Sequence, residues 1–196
     1  MSPHLHSPSE SSIAEEVRDS LNKGSYIAAL ALALTIPDAY GKMEYPDEAV
    51  GQRYVKWYDC YCAFRISPHT AGKPDEPTML GFDGRTCYKL RCELLHSGDA
   101  DLKPTELSGF IEGEHSGKDV SFTLRVGTGS GTGTTWPQNK PCEAEYHLAI
   151  GLEELCESLC DAADRYEHRH RSATDRFPRY VIDDLRQSVV FHLNGR

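Results

Sequence analysis

The chain has 196 residues, 39% of them hydrophobic, with 21 Lys and Arg against 30 Asp and Glu for a net charge of −9. That length fits a single domain able to bury an ordinary core without staples. The charge excludes loose binding to nucleic acid, whose affinity comes from neutralising phosphates, so an RNA site has to be a local basic patch.

Residues 1–12, rich in Ser, Pro and His, read as a flexible N-terminal arm. Residues 13–196 read as one helical domain with a β insert at about 106–150. Ser12-Ile13-Ala14-Glu15 is a capping box that opens a helix with Ile13, Val17 and Leu21 on one face, and Gly24 ends it. Ser25 caps a second helix, to about Thr35, so rich in Ala and Leu that it is expected to be buried, with Pro37 as its stop. The run from Tyr26 to Ile36 is the longest apolar one, and its 11 residues fall short of the roughly 20 that cross a bilayer.

Asp38 to Tyr45 reads as a turn, and Pro46-Asp47-Glu48 as the start of a third helix running to about Arg65. Its stripe of Tyr54, Trp57, Tyr58 and Tyr61 could stack bases, but the same spacing serves a packed core, which is favoured. Ser67 to Thr78, with three prolines and a glycine, is a loop. Asp83 can cap a fourth helix and Gly98 can close it. On it Leu90 and Leu94, with Cys87 one turn earlier, form the packing stripe. Arg91 and His96 lie off that stripe, roughly 140° apart around the axis and about 7.5 Å apart along it.

Beyond that helix the period changes from 3.6 to 2. Val120, Phe122, Leu124 and Val126 alternate with polar residues, as do Ala144, Tyr146, Leu148 and Ile150, and Ser108 to Glu112 is a weaker strand candidate. These predict a small antiparallel sheet. The glycine-rich joint 127–135 lacks the Gly-Lys-Ser/Thr ending of a phosphate-binding loop and reads as a disordered hairpin tip.

Leu152 to about His168 is the last long helix. Its Cys156 and Cys160 fall on the apolar face, where cysteine behaves as a small hydrophobe, so no metal is assigned to them. Seven cysteines, an odd number, with no secretory signal ahead of them, read as reduced and cytoplasmic. The helix ends in the densest basic cluster of the chain, including Arg165, His168, Arg169 and Arg171. With Arg85 and Lys89 near Arg91, these are the candidate RNA-backbone contacts. A short helix is expected around Val181 to Arg186, and the apolar run Val189-Val190-Phe191 has to be covered by the body or by a second copy.

The segment Arg91-Cys92-Glu93-Leu94-Leu95-His96 resembles the Arg-x4-His motif of HEPN domains. Many members of that family are metal-independent ribonucleases of toxin–antitoxin, abortive-infection and CRISPR systems. The resemblance implies a mainly α, HEPN-like bundle of four or five helices, and the alternating segments place the antiparallel sheet as an insert between the motif helix and the last long helix. It further implies RNA as substrate, no cofactor, a homodimer with the two motifs facing each other, and a restraining partner protein. Arg91 and His96 would be catalytic, with Cys92 and Glu93 supporting them. Cys92 stands where the family typically has Asn, Asp or His. The competing reading is a non-catalytic helical module that binds a nucleotide or a protein, in which Arg91 pairs with a carboxylate such as Glu93 or one on another helix.

Overall fold

Ser12 Oγ accepts the Glu15 N–H at 3.1 Å, and the Glu15 carboxylate accepts the Ser12 N–H at 2.7 Å. This reciprocal cap satisfies donors that a first turn leaves without partners. Helix α1 (Ile13–Asn22) starts from it and buries Ile13, Ala14 and Val17. The computed structural model describes residues 9–62, 64, 82–98, 120–135, 145–170 and 177–182, and over these the chain is mainly helical.

Helix α2 (Tyr26–Ala33) buries Ala29, Leu30 and Ala33 but leaves Ile27 60% exposed. A helix that composition alone would bury all round therefore keeps one face in solvent. Pro37 lies in the first turn of α3 (Ile36–Glu44). There a proline gives up only an N–H that lacks a helical partner, so it opens a helix where the sequence suggests a turn. The long third helix expected from Pro46 to Arg65 is likewise shorter: α4 spans Val50–Tyr61 and stops where Cys62 turns extended.

Contacts along α3 and α4 rise together, from Asp38–Arg53 through Tyr40–Trp57 to Glu44–Tyr61. The two helices therefore run in the same general sense, with the connection returning past α4 through Tyr45 at Cys60 and Glu48 at Lys56. Helix α5 (Gly84–Cys92) runs the other way, since Gly84 meets Val55 and Asp59 while Tyr88 meets Gly51. Asp83 caps α5 as expected, its carboxylate accepting the Thr86 N–H at 2.9 Å. Two glycines set the spacing. A Cβ on Gly41 would lie 2.9 Å from the Arg53 carbonyl oxygen, and one on Gly84 2.7 Å from that of Val55. Without side chains there, α3 and α5 each close onto the α4 backbone.

Helix α6 (Leu152–Arg169) packs against α1, α2, α3 and α4. Leu155, Cys156, Leu159, Cys160, Ala162, Ala163 and Tyr166 form its buried face. Tyr54, Trp57 and Tyr58 of α4 are buried as well, with Tyr40 stacked on Trp57 at 5.6 Å and meeting Tyr166 edge-on at 5.4 Å. The aromatic stripe is thus core and not a base-stacking platform. Burial raises the pKa of both Cys156 and Cys160, as suits thiols packed as hydrophobes.

Strands β2 (Val120–Arg125), β3 (Gly131–Thr135) and β4 (Glu145–Gly151) lie between α5 and α6 as expected, in the order β2–β4–β3. The expected antiparallel sheet is corrected to a mixed one: β2 pairs with β4 in parallel, and β3 with β4 antiparallel. The reason lies in the glycine-rich joint. Gly127 N–H donates to Glu153 at 3.0 Å, Ser130 N–H to Glu154 at 2.8 Å, and Gly151 N–H to Ser130 Oγ at 2.8 Å. These bonds draw the chain over the β4–α6 junction, so it arrives on the far edge of β4 and cannot form a hairpin with β2. Residues 131–135 of the expected disordered tip are strand. Phe122, Leu148 and Ile150 bring the sheet into the common core.

Two further expectations are corrected at the termini. Ser9–Ser12, read as part of the flexible arm, forms β1, and it pairs antiparallel with β5 (Arg179–Ile182), where a helix was expected from Val181. Backbone pairing between two distant segments has no local sequence signal strong enough to read. An ion pair of 2.7 Å from Arg179 to Glu167 ties β5 to α6. The loop 67–78, the strand candidate 108–112 and the apolar run 189–191 lie outside the described residues. Among the described residues, no helix is long and apolar enough to cross a membrane.

Candidate functional site

Helix α5 does not end in α-helical geometry. Glu93–Ser97 form a π turn, closed by Gly98 in the left-handed conformation at φ 69°, whose N–H reaches the Glu93 carbonyl five residues back. A π turn holds more residues than an α turn. Rotation per residue falls below the α-helical 100°, so the roughly 140° expected between Arg91 and His96 narrows and the two side chains turn toward one side of the helix. The sequence gives no sign of this widened turn.

Arg91, in the last turn of α5, is anchored from another helix. Its Nη2 lies 3.2 Å from Asp38 Oδ2, its guanidinium carbon 5.9 Å from the Tyr88 ring centroid, and its side chain is 16% exposed. Of the carboxylates the sequence offered, Glu93 or one on another helix, the second kind holds it: Asp38 of α3. Asp38 also holds Arg53 of α4, which donates to Oδ1 from Nη2 at 3.0 Å and from Nε at 3.3 Å. Two permanent cations thus share one carboxylate, and the cluster carries one net positive charge. Arg91 Nε is buried without a hydrogen-bond partner among the described residues.

His96 is exposed on the π turn, next to Leu95, which is 39% exposed. Cys92 is half-buried beside Tyr88, whose pKa is raised by burial and then by Cys92. Glu93 is half-buried, and its backbone carbonyl closes the π turn. An imidazole in solvent, five residues beyond a fixed guanidinium on the same helix, can serve phosphate chemistry.

The basic residues named from the sequence are not brought into one patch. Arg165 Nη2 donates to the Tyr61 carbonyl at 3.2 Å, Arg169 lies 6.0 Å from the Tyr61 ring centroid, and His168 is exposed. Tyr61 ends α4, whereas Tyr88 packs on Gly51 at its start, a separation of about 15 Å along the helix. The basic end of α6 and the Arg91 region therefore sit at opposite ends of α4. Arg85 is exposed and Lys89 half-buried on α5; Arg171 lies outside the described residues. The glycine-rich joint offers no phosphate cradle, because Glu153 and Glu154 already occupy its Gly127 and Ser130 amides. Among the described residues, no group of three or more His, Cys, Asp and Glu side chains is arranged to hold a metal ion.

Sequence reasoning missed Asp38 and Arg53. A signal existed: Pro37 followed by Asp38 is a helix start, with the proline where its missing N–H costs nothing and the acid where the dipole favours it. In comparisons with known proteins, no family model, no curated protein and no solved structure matches this chain.

Proposed function

We propose that the protein is a metal-independent endoribonuclease acting through Arg91 and His96. The observation that carries the reading is the setting of Arg91: held at 3.2 Å by Asp38, in a cluster with one surplus positive charge, with an exposed histidine five residues on, in the π turn that follows. His96 exchanges the proton of the attacking 2′-hydroxyl or of the leaving oxygen, a role worth typically 10²- to 10⁴-fold. Arg91 donates to the scissile phosphate and stabilises the charge that develops there. Cys92 and Glu93 support the turn that carries the pair.

One arginine and one histidine make a thin constellation, so the working unit is a homodimer with its motifs facing each other across a two-fold axis. Leu95, beside His96, and Val50, beside the Gly51 that meets Tyr88, are both exposed, and a second copy would cover them. The acidic balance of the rest of the chain confines RNA to this merged patch. A role in toxin–antitoxin or phage-defence biology, with a protein that restrains the enzyme, belongs to the same proposal.

The test is cleavage of RNA in EDTA by protein of known oligomeric state. Expected are cuts in RNA but not in DNA, which lacks the 2′-hydroxyl, cyclic-phosphate ends, and loss of cutting in Arg91→Ala and His96→Ala. Complete loss of activity in EDTA would sink the mechanism. The Asp38 ion pair also supports the rival reading, a non-catalytic module in which Arg91 is structural, and absence of cutting across varied RNAs would favour it.

A further inference from the structure

We propose that Asp38, Arg53 and Arg91 form one phosphate clamp, in which Arg53 is a second phosphate-binding cation and Asp38 the positioning residue that sets both guanidiniums. This rests on reading Arg91 and His96 as a ribonuclease site. Asp38 divides its oxygens, Oδ1 to Arg53 and Oδ2 to Arg91, so the two guanidiniums lie side by side at a spacing fixed by one carboxylate. Each member comes from a different helix, α3, α4 and α5, and the close approaches at Gly41 and Gly84 hold those helices at fixed distances.

The donor count points to an acceptor beyond Asp38. A guanidinium carries five N–H donors, so the pair offers ten. Asp38 takes three contacts, from Arg53 Nε and Nη2 and from Arg91 Nη2, and Arg91 Nε is buried with no hydrogen-bond partner among the described residues. An ion pair built only for stability is satisfied by one arginine on one carboxylate, because surplus buried donors cost free energy. The side chains of Arg53 and Arg91 are 15% and 16% exposed, so neither is sealed from solvent. Rigid donor forks sharing one surplus charge match the oxygens of a phosphodiester.

The experiment is binding of a short fluorescein-labelled single-stranded RNA with 2′-O-methyl riboses, which cannot be cut, followed by anisotropy over a salt series. Arg53→Ala and Arg91→Ala should each weaken binding about tenfold and lower the log–log salt slope by about 0.7, the value for one phosphate contact on a single strand. Arg53→Lys keeps the charge without the fork, so it should keep the slope and lose affinity. Asp38→Asn is the decisive variant. It removes a negative charge, so Coulomb attraction alone would tighten binding, whereas loss of a positioner weakens it about tenfold and lowers kcat on unmodified RNA. Asp38→Glu should recover part of both, which a purely structural role would not require.

Weakened binding in these variants together with no cutting of unmodified RNA by the wild type would leave the clamp standing and remove the ribonuclease reading. Cutting that needs Arg91 but proceeds normally in Arg53→Ala and Asp38→Asn, with binding equal to or tighter than the wild type's, would overturn the clamp alone. A folded wild type that does not bind the probe would also overturn it.

Discussion

Asp38 and Arg91 stand 53 positions apart in the chain and meet at 3.2 Å, so the arginine of the motif is oriented from a helix that the motif does not contain. One consequence separates Arg91 from His96 in stability. His96 is exposed at the helix end, and His96→Ala should leave the melting temperature within about 2 °C of the wild type, as surface changes do. Arg91 is largely buried, and Arg91→Ala removes one of the two cations on Asp38 together with its packing on Tyr88. A loss of about 1–2 kcal/mol, or roughly 2–8 °C, follows. Calorimetry of the two variants checks this, and equal melting temperatures would contradict it.

How much of this was legible depended on the range of the interaction. The Ser12 capping box, the Asp83 cap, Gly98 and the α6 stripe are written within a few residues of where they act, and each could be read directly. Asp38 could not, because its partners lie on α4 and α5 and because Pro37 looks the same whether it ends one helix or begins the next. Strand pairing failed for a similar reason. Alternation marks Phe122 and Leu148 as inward-facing but is silent on direction, which Glu153 and Glu154 decide by holding the glycine-rich joint. Arg91 and His96 could be named as candidates from the sequence, whereas the cluster of Arg91 with Asp38 and Arg53 could not, and the π turn after Arg91 has no sequence signature.

Acid stability should depend on Glu167. Burial works against its carboxylate, but hydrogen bonds from Arg179 and Tyr40 outweigh that and lower its pKa from 4.5. A carboxylate depressed in the fold adds stability above its unfolded pKa and loses it as pH falls through the folded value. The melting-temperature advantage of wild type over Glu167→Gln should therefore be constant above about pH 5 and shrink as the pH drops below 4.5. An advantage that persists unchanged at about pH 3 would show that Glu167 acts by packing and not by charge.

Thiol chemistry should divide the cysteines by burial. Among the six described, Cys60 alone is exposed, while Cys87, Cys156 and Cys160 are buried with pKa values pushed up by that burial, Cys160 to about 12. Alkylation proceeds through the thiolate, which these three scarcely populate. Labelling of the native protein at about pH 8, read by mass spectrometry, should modify Cys60 ahead of Cys87, Cys156 and Cys160 and spare those three until the chain is unfolded. Modification of Cys156 or Cys160 at the rate of Cys60 would mean that α6 opens locally and is not the rigid centre of the core.

Gly84→Ala tests whether the packing that positions Arg91 outweighs helix propensity. Alanine is favoured over glycine in a helix by up to about 1 kcal/mol, so propensity alone predicts a more stable protein. The site permits no side chain: a Cβ would stand 2.7 Å from the Val55 carbonyl oxygen, 2.9 Å from Asp59 Oδ1 and 3.0 Å from the Val55 Cα. Two of those atoms are backbone and cannot rotate aside, so α5 has to lift from α4 and strain the 2.8 Å bond from Gly84 N–H to Asp59. Overpacking of this kind costs about 1–3 kcal/mol, which exceeds the propensity gain. Lifting α5 also moves Arg91 relative to Asp38 on α3, so under the proposed clamp RNA binding should fall by more than the folded fraction does. Gly51→Ala is the comparison, because the nearest atoms to its Cβ would be those of the Tyr88 side chain, from 3.2 Å, and a side chain can yield. Thermal denaturation should place Gly84→Ala below both wild type and Gly51→Ala; a Gly84→Ala protein as stable as wild type would show that the close approach does not hold the three helices in place.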